Sequence, residues 1–363
     1  MSHLLSVATA VPGYRLEAAE GLERLRHFWP QLGRLPEAEA AVGTRYLCEP
    51  IADLLRPRGM SELQAAYLDH SSELALAAAR VALGRGQLTG EDIDLVITVS
   101  CTGYSVPSLE VHLAPDLGLR PDVLRLPITE LGCSGGAAAI AFAHRHLTAF
   151  PDHKVLVLAV ELPSLNFQPG DTSPDNLTAA LVFGDGAGAA VLGAAPGGTR
   201  PGLDVVRAGS RLLPGTADLL GFDLRDGGFH VVLDRRLPRV LERTLDSALR
   251  SFLGDSDLGN LDFLAVHAAG PRIFEAIERS LGLPRHALRL SREVFKAVGN
   301  TSSAAIFFTL ERLMADLGCE ARRGLGIGLG PGVSIELMEL AWTPSEKAGN
   351  EARPARERVP VSG

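Results

Sequence analysis

The 363-residue sequence predicts a duplicated, layered α/β fold, and three observations lead to this prediction. Apolar runs of strand length alternate with amphipathic helical segments along the chain. A strand-like segment at 93–103 recurs 168 positions later, at 261–270. A second pair, 131–147 and 298–314, recurs at an offset of 167, with small residues opening a helix in each copy. The repeat predicts two similar halves, in which Cys133 and Asn300 are equivalent positions.

Periodicity then predicts the individual elements. Residues 71–86 and 239–254 place apolar residues three and four positions apart, so each is expected to be a helix that precedes the strand of its half. Apolar runs at 155–160, 180–193 and 324–340 predict further strands. This alternation is typical of mostly parallel or mixed sheets covered by helices on their faces.

Composition divides the chain into three parts. We expect an N-terminal half at 1–200 and a C-terminal half at 201–342, joined through a glycine- and proline-rich loop at 195–202. The polar, proline-containing segment 343–363 is predicted to be a disordered tail. Neither glycine-rich segment, at 184–190 and 326–332, opens a helix of a nucleotide-binding unit, so both are assigned to packing and pocket walls.

Charge and cysteine content exclude several classes of function. A net charge of −8 gives no general attraction to nucleic acid. The apolar runs are shorter than the roughly 20 residues of a membrane span, and the N-terminus does not resemble a signal peptide, so a cytoplasmic protein is expected. The four cysteines are scattered without a C-x-x-C pair, which argues against a disulfide framework and against a bound metal.

Cys133 is the candidate nucleophile because it directly precedes an alanine-rich helix. The partial positive charge of a helix N-terminus is expected to lower the pKa of a thiol and favour the thiolate. A buried structural cysteine is the alternative, and position alone does not decide between the two.

His267 and Asn300 are the candidate partners of Cys133. His267 follows the predicted strand 261–266 and precedes Ala-Ala-Gly, which leaves room for a substrate. Asn300 reads most simply as a helix N-cap, although its amide can also donate a hydrogen bond. Two neutral donors beside a cysteine nucleophile form an oxyanion site of the kind that Claisen condensation requires. The repeat is expected to bring all three groups together.

The sequence resembles the type III polyketide synthases, in their chalcone-synthase and bacterial alkylpyrone or alkylresorcinol branches, within the thiolase-fold superfamily. The resemblance covers nearly the whole chain and is most specific in GCSGG at 132–136, VFGDGAGAA at 182–190, HAAGPRIFEAIE at 267–278, GNTSSA at 299–304 and GLGPG at 328–332. It implies an α/β/α/β/α thiolase-like architecture with pseudo-twofold halves. It also implies that Cys133 carries the acyl group, while His267 and Asn300 promote decarboxylation.

The same resemblance implies a set of substrate-binding residues. Phe183 would be an aromatic gate between a CoA tunnel and the cavity, and Val231 would replace a second gating phenylalanine, with Phe229 two residues earlier. Cys101 and Asn166 would replace residues that face the cavity, and Arg45 is the best match for a CoA-phosphate ligand. Val106 would enter the cavity of a neighbouring subunit, which implies a homodimer. The expected set comprises Phe183, Cys101, Asn166, Val231, Phe229, Gly330, Pro331, Gly332, Ser302 and Arg45.

The predicted activity is iterative condensation without a cofactor, with CoA thioesters as substrates. An acyl-CoA starter would load Cys133, malonyl-CoA would extend it, and the product would be an alkylpyrone or alkylresorcinol. One alternative is a tetrahydroxynaphthalene-type synthase that uses malonyl-CoA alone. A second is a ketoacyl synthase III-like enzyme that uses acyl carrier protein, although HAAG and GLGPG oppose it. A non-catalytic subunit of the same fold is the third, and the intact Cys133, His267 and Asn300 argue against it.

Overall fold

A single nine-stranded mixed sheet organises the protein. The computed structural model describes residues 1–29, 42–194, 202–254, 260–318 and 320–344. The sheet order is β11-β12-β13-β8-β1-β7-β6-β4-β5. Its strands are β1 Ser2–Ala10, β4 Leu95–Val99, β5 Leu124–Ile128, β6 Val155–Glu161, β7 Gly186–Gly193, β8 Gly202–Leu212, β11 Phe263–Val266, β12 Arg322–Gly330 and β13 Ser334–Thr343.

Two small two-stranded sheets and ten α-helices accompany the large sheet in the described residues. One sheet pairs β2 Tyr14–Glu17 with β3 Thr44–Leu47, and the other is a hairpin of β9 Leu220–Arg225 and β10 Gly228–Leu233. The helices are α1 Ala18–Phe28, α2 Ile51–Leu54, α3 Met60–Gly86, α4 Leu109–Leu117, α5 Gly135–Ala149, α6 Pro174–Val182, α7 Leu237–Leu253, α8 Pro271–Leu281, α9 Arg289–Val298 and α10 Ala305–Asp316.

Strand pairing repeats in the two halves of the sheet. In the first half β4 pairs with β6 in parallel, and β6, β7 and β1 then follow antiparallel to one another. In the second half β11 pairs with β12 in parallel, and β12, β13 and β8 follow antiparallel. The antiparallel pair β1 and β8 joins them. The two halves that the sequence repeat predicts therefore show the same order of parallel and antiparallel strand pairing.

Three predicted boundaries differ from the structure. The run 324–340 forms the two strands of a hairpin, because the Gly-Pro-Gly at 330–332 turns the chain. Residues 180–182 belong to α6, so β7 starts later than its apolar run predicts. Thr343 still belongs to β13, although it was assigned to the tail. The expected boundary near 200 and the tail from 345 onward lie outside the described residues.

Helices α5 and α10 begin close to each other within the core. Each follows a short 3₁₀ turn, Gly132–Ser134 before α5 and Ser302–Ala304 before α10. A Cβ atom on Gly136 would lie 2.1 Å from the carbonyl oxygen of Ser303, so only glycine permits this approach. The start of α5, beside Cys133, is therefore in contact with the start of α10, beside Asn300. Among the described residues, no helix is long and apolar enough to cross a membrane.

Candidate active site

Cys133 lies in the 3₁₀ turn that precedes α5, and it faces a cavity. Its Sγ lies 3.3 Å from the hydroxyl oxygen of Ser302, in the equivalent turn before α10. Cys101 lies in the loop that follows β4, and its Sγ lies 3.4 Å from the same Ser302 oxygen. One hydroxyl therefore connects two thiols.

The pKa of Cys133 contradicts one expectation from the sequence. Helix placement predicts a lowered pKa, whereas burial raises the pKa of the Cys133 thiol to about 11. The hydrogen bond with Ser302 acts in the opposite direction and lowers the pKa in part. Desolvation is the largest cause, although Cys133 is only partly buried and faces the cavity. A raised pKa favours the protonated thiol at neutral pH.

Asn300 orients the turn that contains Ser302. Its Oδ1 accepts a hydrogen bond of 2.9 Å from the Ser302 backbone N–H. Asn300 is nevertheless not the N-cap that the sequence predicts, because the N-cap of the 3₁₀ turn is Thr301, whose side chain forms no cap hydrogen bond. Its Nδ2 donates to the carbonyl oxygen of Ala269 at 3.2 Å. The Asn300 backbone also forms a parallel bridge with Phe183. Asn300 thus connects the aromatic gate candidate with the segment that follows His267.

His267 directly follows strand β11, as predicted. Its side chain is only 1% exposed, and its Nδ1 has no hydrogen-bond partner among the described residues. Burial lowers the pKa of His267 to about 4, so the imidazole is neutral at physiological pH. A neutral imidazole still donates one N–H, which can serve an oxyanion.

Glu161 is a buried carboxyl group that the sequence analysis missed. It ends β6 and accepts hydrogen bonds from the hydroxyl groups of Thr102 and Ser303 and from the backbone N–H of Cys101. Burial raises the pKa of Glu161. The sequence does contain a signal for this residue, because Glu161 is an acidic residue at the end of an otherwise apolar strand. Through these contacts Glu161 fixes the loop of Cys101 against the turn of Ser302.

The cavity beside Cys133 is small, with a volume of about 100 Å³. Seven of the predicted site residues line it, together with Cys133. Phe229 is not among the lining residues, and its ring packs instead at 5.8 Å on Phe222, which does line the cavity. His267 and Asn300 also lie outside its wall and adjoin it through their neighbours. The predicted residues that line the cavity are Cys101, Asn166, Phe183, Val231, Ser302, Pro331 and Arg45.

The Gly-Pro-Gly turn at 330–332 supports one wall of the cavity. Pro331 lines it directly. Gly330 packs behind the nucleophile turn, because a Cβ on Gly330 would lie 2.6 Å from the backbone nitrogen of Ser134. The Gly332 carbonyl accepts a hydrogen bond of 2.7 Å from the Thr216 hydroxyl. The two glycines therefore position the wall without lining it.

Arg45 does not suit the role expected from the sequence. Its side chain is buried, and the guanidinium donates to the carbonyl oxygen of Ala180 in α6. Burial lowers the pKa of Arg45 to about 10. A phosphate ligand needs an accessible cation, whereas this guanidinium holds the backbone of α6 against β3.

Comparison with known proteins identifies the family. Residues 58–196 match the N-terminal domain model of the chalcone and stilbene synthases, and residues 204–343 match the C-terminal domain model. The chain belongs to the chalcone and stilbene synthase family. It is therefore a type III polyketide synthase with a thiolase-like fold, and a condensing enzyme of the acyltransferase type.

Bacterial proteins are among the relatives of this synthase. It is 36% identical over 354 residues to the 1,3,6,8-tetrahydroxynaphthalene synthase of Streptomyces coelicolor, covering 95% of this chain and 94% of the relative. The crystal structure of a tetrahydroxynaphthalene synthase from that organism superposes with a TM-score of 0.89, covering 94% of this chain and 100% of the other. A putative chalcone synthase of Bacillus subtilis is 32% identical, covering 94% of this chain and 99% of that protein.

Proposed function

We propose that this type III polyketide synthase builds a hydroxylated naphthalene of the tetrahydroxynaphthalene type from malonyl-CoA alone. The observation that supports this most is the 36% identity to a tetrahydroxynaphthalene synthase over 95% of the chain. The alkylpyrone or alkylresorcinol product favoured by the sequence analysis has less support.

Cys133 is the proposed acyl carrier. Its sulfur attacks the carbonyl carbon of a malonyl thioester, and CoA departs as the thiol once it has taken up the proton of Cys133. The raised pKa of Cys133 favours the thiol before substrate binds, and in this proposal the proton leaves as the sulfur attacks. Phe183 gates the cavity in this proposal, and Val231, Asn166 and Cys101 shape the growing chain.

His267 and Asn300 are the proposed decarboxylation pair. A second malonyl-CoA loses CO₂, and the electron pair of the broken C–C bond becomes an enolate that N–H donors from both residues stabilise. The enolate carbon attacks the acyl group on Cys133, and the Cys133 sulfur departs. The extended chain is then bound to CoA and is reloaded for the next cycle. Intramolecular condensation finally closes the rings.

A homodimer is part of the proposal. Val106, which the resemblance places at the neighbouring cavity, is 80% exposed, and Tyr104 beside it is 58% exposed. The edge strand β5 exposes Leu124 and Leu126 close by in the chain. Exposed apolar residues on an edge strand are typical of a subunit interface.

The test is turnover of malonyl-CoA alone, compared with turnover in the presence of a series of acyl-CoA starters. We expect CO₂ release, free CoA and a product built only from malonyl units, with Cys133→Ala inactive in all three readouts. Products that retain the starter chain, and none from malonyl-CoA alone, would restore the alkylpyrone reading. Turnover only with an acyl carrier protein would favour the ketoacyl synthase reading.

A further inference from the structure

Arg45 places a positive charge in the wall of the cavity beside Cys133. It lies in β3, its side chain lines the cavity, and the residue is only 3% exposed. Among the described residues that line the cavity, Arg45 alone carries a charge at neutral pH. The others supply apolar side chains, glycines, hydroxyl groups, amides and thiols. The cavity therefore has one cation in an otherwise neutral wall.

The charge of Arg45 is not balanced within the described part of the chain. Its guanidinium donates to the carbonyl oxygen of Ala180, which is a neutral acceptor, and its Nε has no hydrogen-bond partner among the described residues. Burial lowers the pKa of Arg45 to about 10, and no carboxylate of those residues acts against this shift. The side chain is still a cation at neutral pH. A buried charge without a counter-charge is costly, so this position favours a bound anion.

The stem of Arg45 packs against the backbone bridge between Phe183 and Asn300. A Cβ atom on Gly184, which follows Phe183, would lie 3.5 Å from the Arg45 Cβ. A Cβ atom on Gly299, which precedes Asn300, would lie 3.2 Å from the Arg45 Cγ. The cation is therefore held beside the backbone that carries the gate candidate and one member of the proposed decarboxylation pair.

The proposed substrate supplies an anion of the required kind. A malonyl unit on Cys133 carries a free carboxylate at the end opposite its thioester. That carboxylate would enter a cavity whose wall is otherwise neutral, where an unpaired anion is as unfavourable as an unpaired cation. A planar guanidinium matches a carboxylate well, because its N–H groups can donate charge-assisted hydrogen bonds to the carboxylate oxygens. The anion and Arg45 would compensate for each other.

A cation at this place suits the first malonyl unit better than an extender unit. An extender loses its carboxylate as CO₂, and a cation that stabilises the carboxylate more than the transition state slows that loss. The first unit keeps its carboxylate while the enolate attacks its thioester carbonyl. The ion pair with Arg45 would therefore persist through the step in which the starter reacts.

We propose that Arg45 binds the terminal carboxylate of the starter unit on Cys133 and thereby selects a carboxylated starter over an uncharged one. This inference rests on the proposed function and names the residue that makes a malonyl unit acceptable as the starter. In the transfer, the Cys133 sulfur forms the new thioester bond, CoA leaves as the thiol, and the carboxylate is unchanged. Arg45 contacts the end of the starter that does not react.

The test measures the transfer of two starters of equal chain length to Cys133. Succinyl-CoA and butyryl-CoA differ in that only the succinyl group ends in a carboxylate, and neither loses CO₂ as a malonyl group does. Peptide mass spectrometry follows the rate at which each starter acylates Cys133, with Cys133→Ala as the background. The readout is the ratio of the two rates, because a general folding defect lowers both rates together. Product formation from malonyl-CoA alone is measured in parallel.

Two variants remove the free cation in different ways. Arg45→Gln removes the charge and keeps an N–H donor for the Ala180 carbonyl. Leu16→Glu keeps Arg45 and places a carboxylate opposite it, because Leu16 pairs with Arg45 across β2 and β3 and lines the same cavity. Leu16→Gln is the uncharged control for that variant. Arg58→Gln controls for the loss of a buried arginine, since Arg58 pairs with Glu49 and does not line the cavity.

We expect wild type to prefer succinyl-CoA. Arg45→Gln and Leu16→Glu should each lower the succinyl-to-butyryl ratio about tenfold, which corresponds to about 1.4 kcal/mol. Leu16→Gln and Arg58→Gln should keep the wild-type ratio, and Leu16→Glu with its control decides the question if Arg45→Gln does not fold.

An unchanged ratio in Arg45→Gln and Leu16→Glu would overturn the proposal, as would a wild type without the preference. An equal fall in Leu16→Glu and Leu16→Gln would also overturn it, since the shape of the cavity and not its charge would then set the ratio. A wild type that shows the preference yet makes no product from malonyl-CoA alone would instead refute only the proposed function.

Discussion

Ser302 contacts the sulfur of Cys133 and links it to Cys101. Its φ of 49° places a serine in the left-handed region, a conformation that costs on the order of 1–3 kcal/mol and is held by the hydrogen bond to Asn300. Residue types and the repeat indicate chemistry at Cys133, His267 and Asn300, and their catalytic roles stay a prediction. The sequence could not predict the Cys133–Ser302–Cys101 contact, since a hydroxyl between two sulfurs depends on three loops meeting.

At this scale we predict the pH dependence of Cys133 alkylation. Burial raises the pKa of Cys133 to about 11, so the thiolate fraction and the iodoacetamide rate should rise about tenfold per pH unit between pH 7 and 10. Ser302→Ala removes a contact that lowers the pKa, so its rate should be lower at each pH. Peptide mass spectrometry reports the modified residue, and Ser247→Ala on α7 serves as the surface control. A rate plateau below pH 8 would contradict this prediction.

The helices and strands were mostly predictable, since apolar periodicity depends on nearby residues only. The helices at 71–86 and 239–254 and the strand at 155–160 are present as α3, α7 and β6. The hairpin at 324–340 was not resolved into its two strands, because both are apolar throughout and only the intervening Gly-Pro-Gly marks the turn. The contact between α5 and α10 could be recognised only in the structure. A glycine near a helix start can serve several purposes, so Gly136 alone does not predict a helix contact.

We predict that Gly136→Ala destabilises the protein. The added Cβ would meet the Ser303 carbonyl oxygen at 2.1 Å, and overpacking of this kind costs roughly 1–3 kcal/mol in the free energy of unfolding. Gly84→Ala is the matched control, because Gly84 lies within α3 with no atom within 4 Å of the added Cβ. That substitution should stabilise by roughly 0.5–1 kcal/mol. Urea unfolding of both variants measures the difference, and equal stability would show that α5 moves without cost.

Over the whole molecule, one continuous sheet joins two similar halves and ends at an exposed edge. The seam between the halves is short, with three paired positions between β1 and β8, whereas β13 and β8 share ten. Internal repetition predicted the similar halves. The merging of their strands into a single sheet was not predictable, because it depends on how the first strand of each half meets the other.

We predict that Val106→Asp dissociates the proposed homodimer. A charge at an 80% exposed apolar residue costs little in the monomer but must be desolvated in an interface. Light scattering after size exclusion should give the mass of a dimer for wild type and of a monomer for the variant. Val81→Asp, on the 45% exposed Val81 of α3, should leave the mass unchanged. A monomeric wild type would refute the dimer.

The raised pKa of Cys133 also affects how readily oxidants inactivate the enzyme. Peroxide oxidises thiolates and reacts far more slowly with thiols, so a nucleophile that stays protonated at rest is poorly oxidised. The hydroxyl of Ser302 contacts the sulfurs of both Cys133 and Cys101. The resting synthase should therefore tolerate storage in air, and its sensitivity to oxidants should be confined to the moments of turnover, when the sulfur gives up its proton.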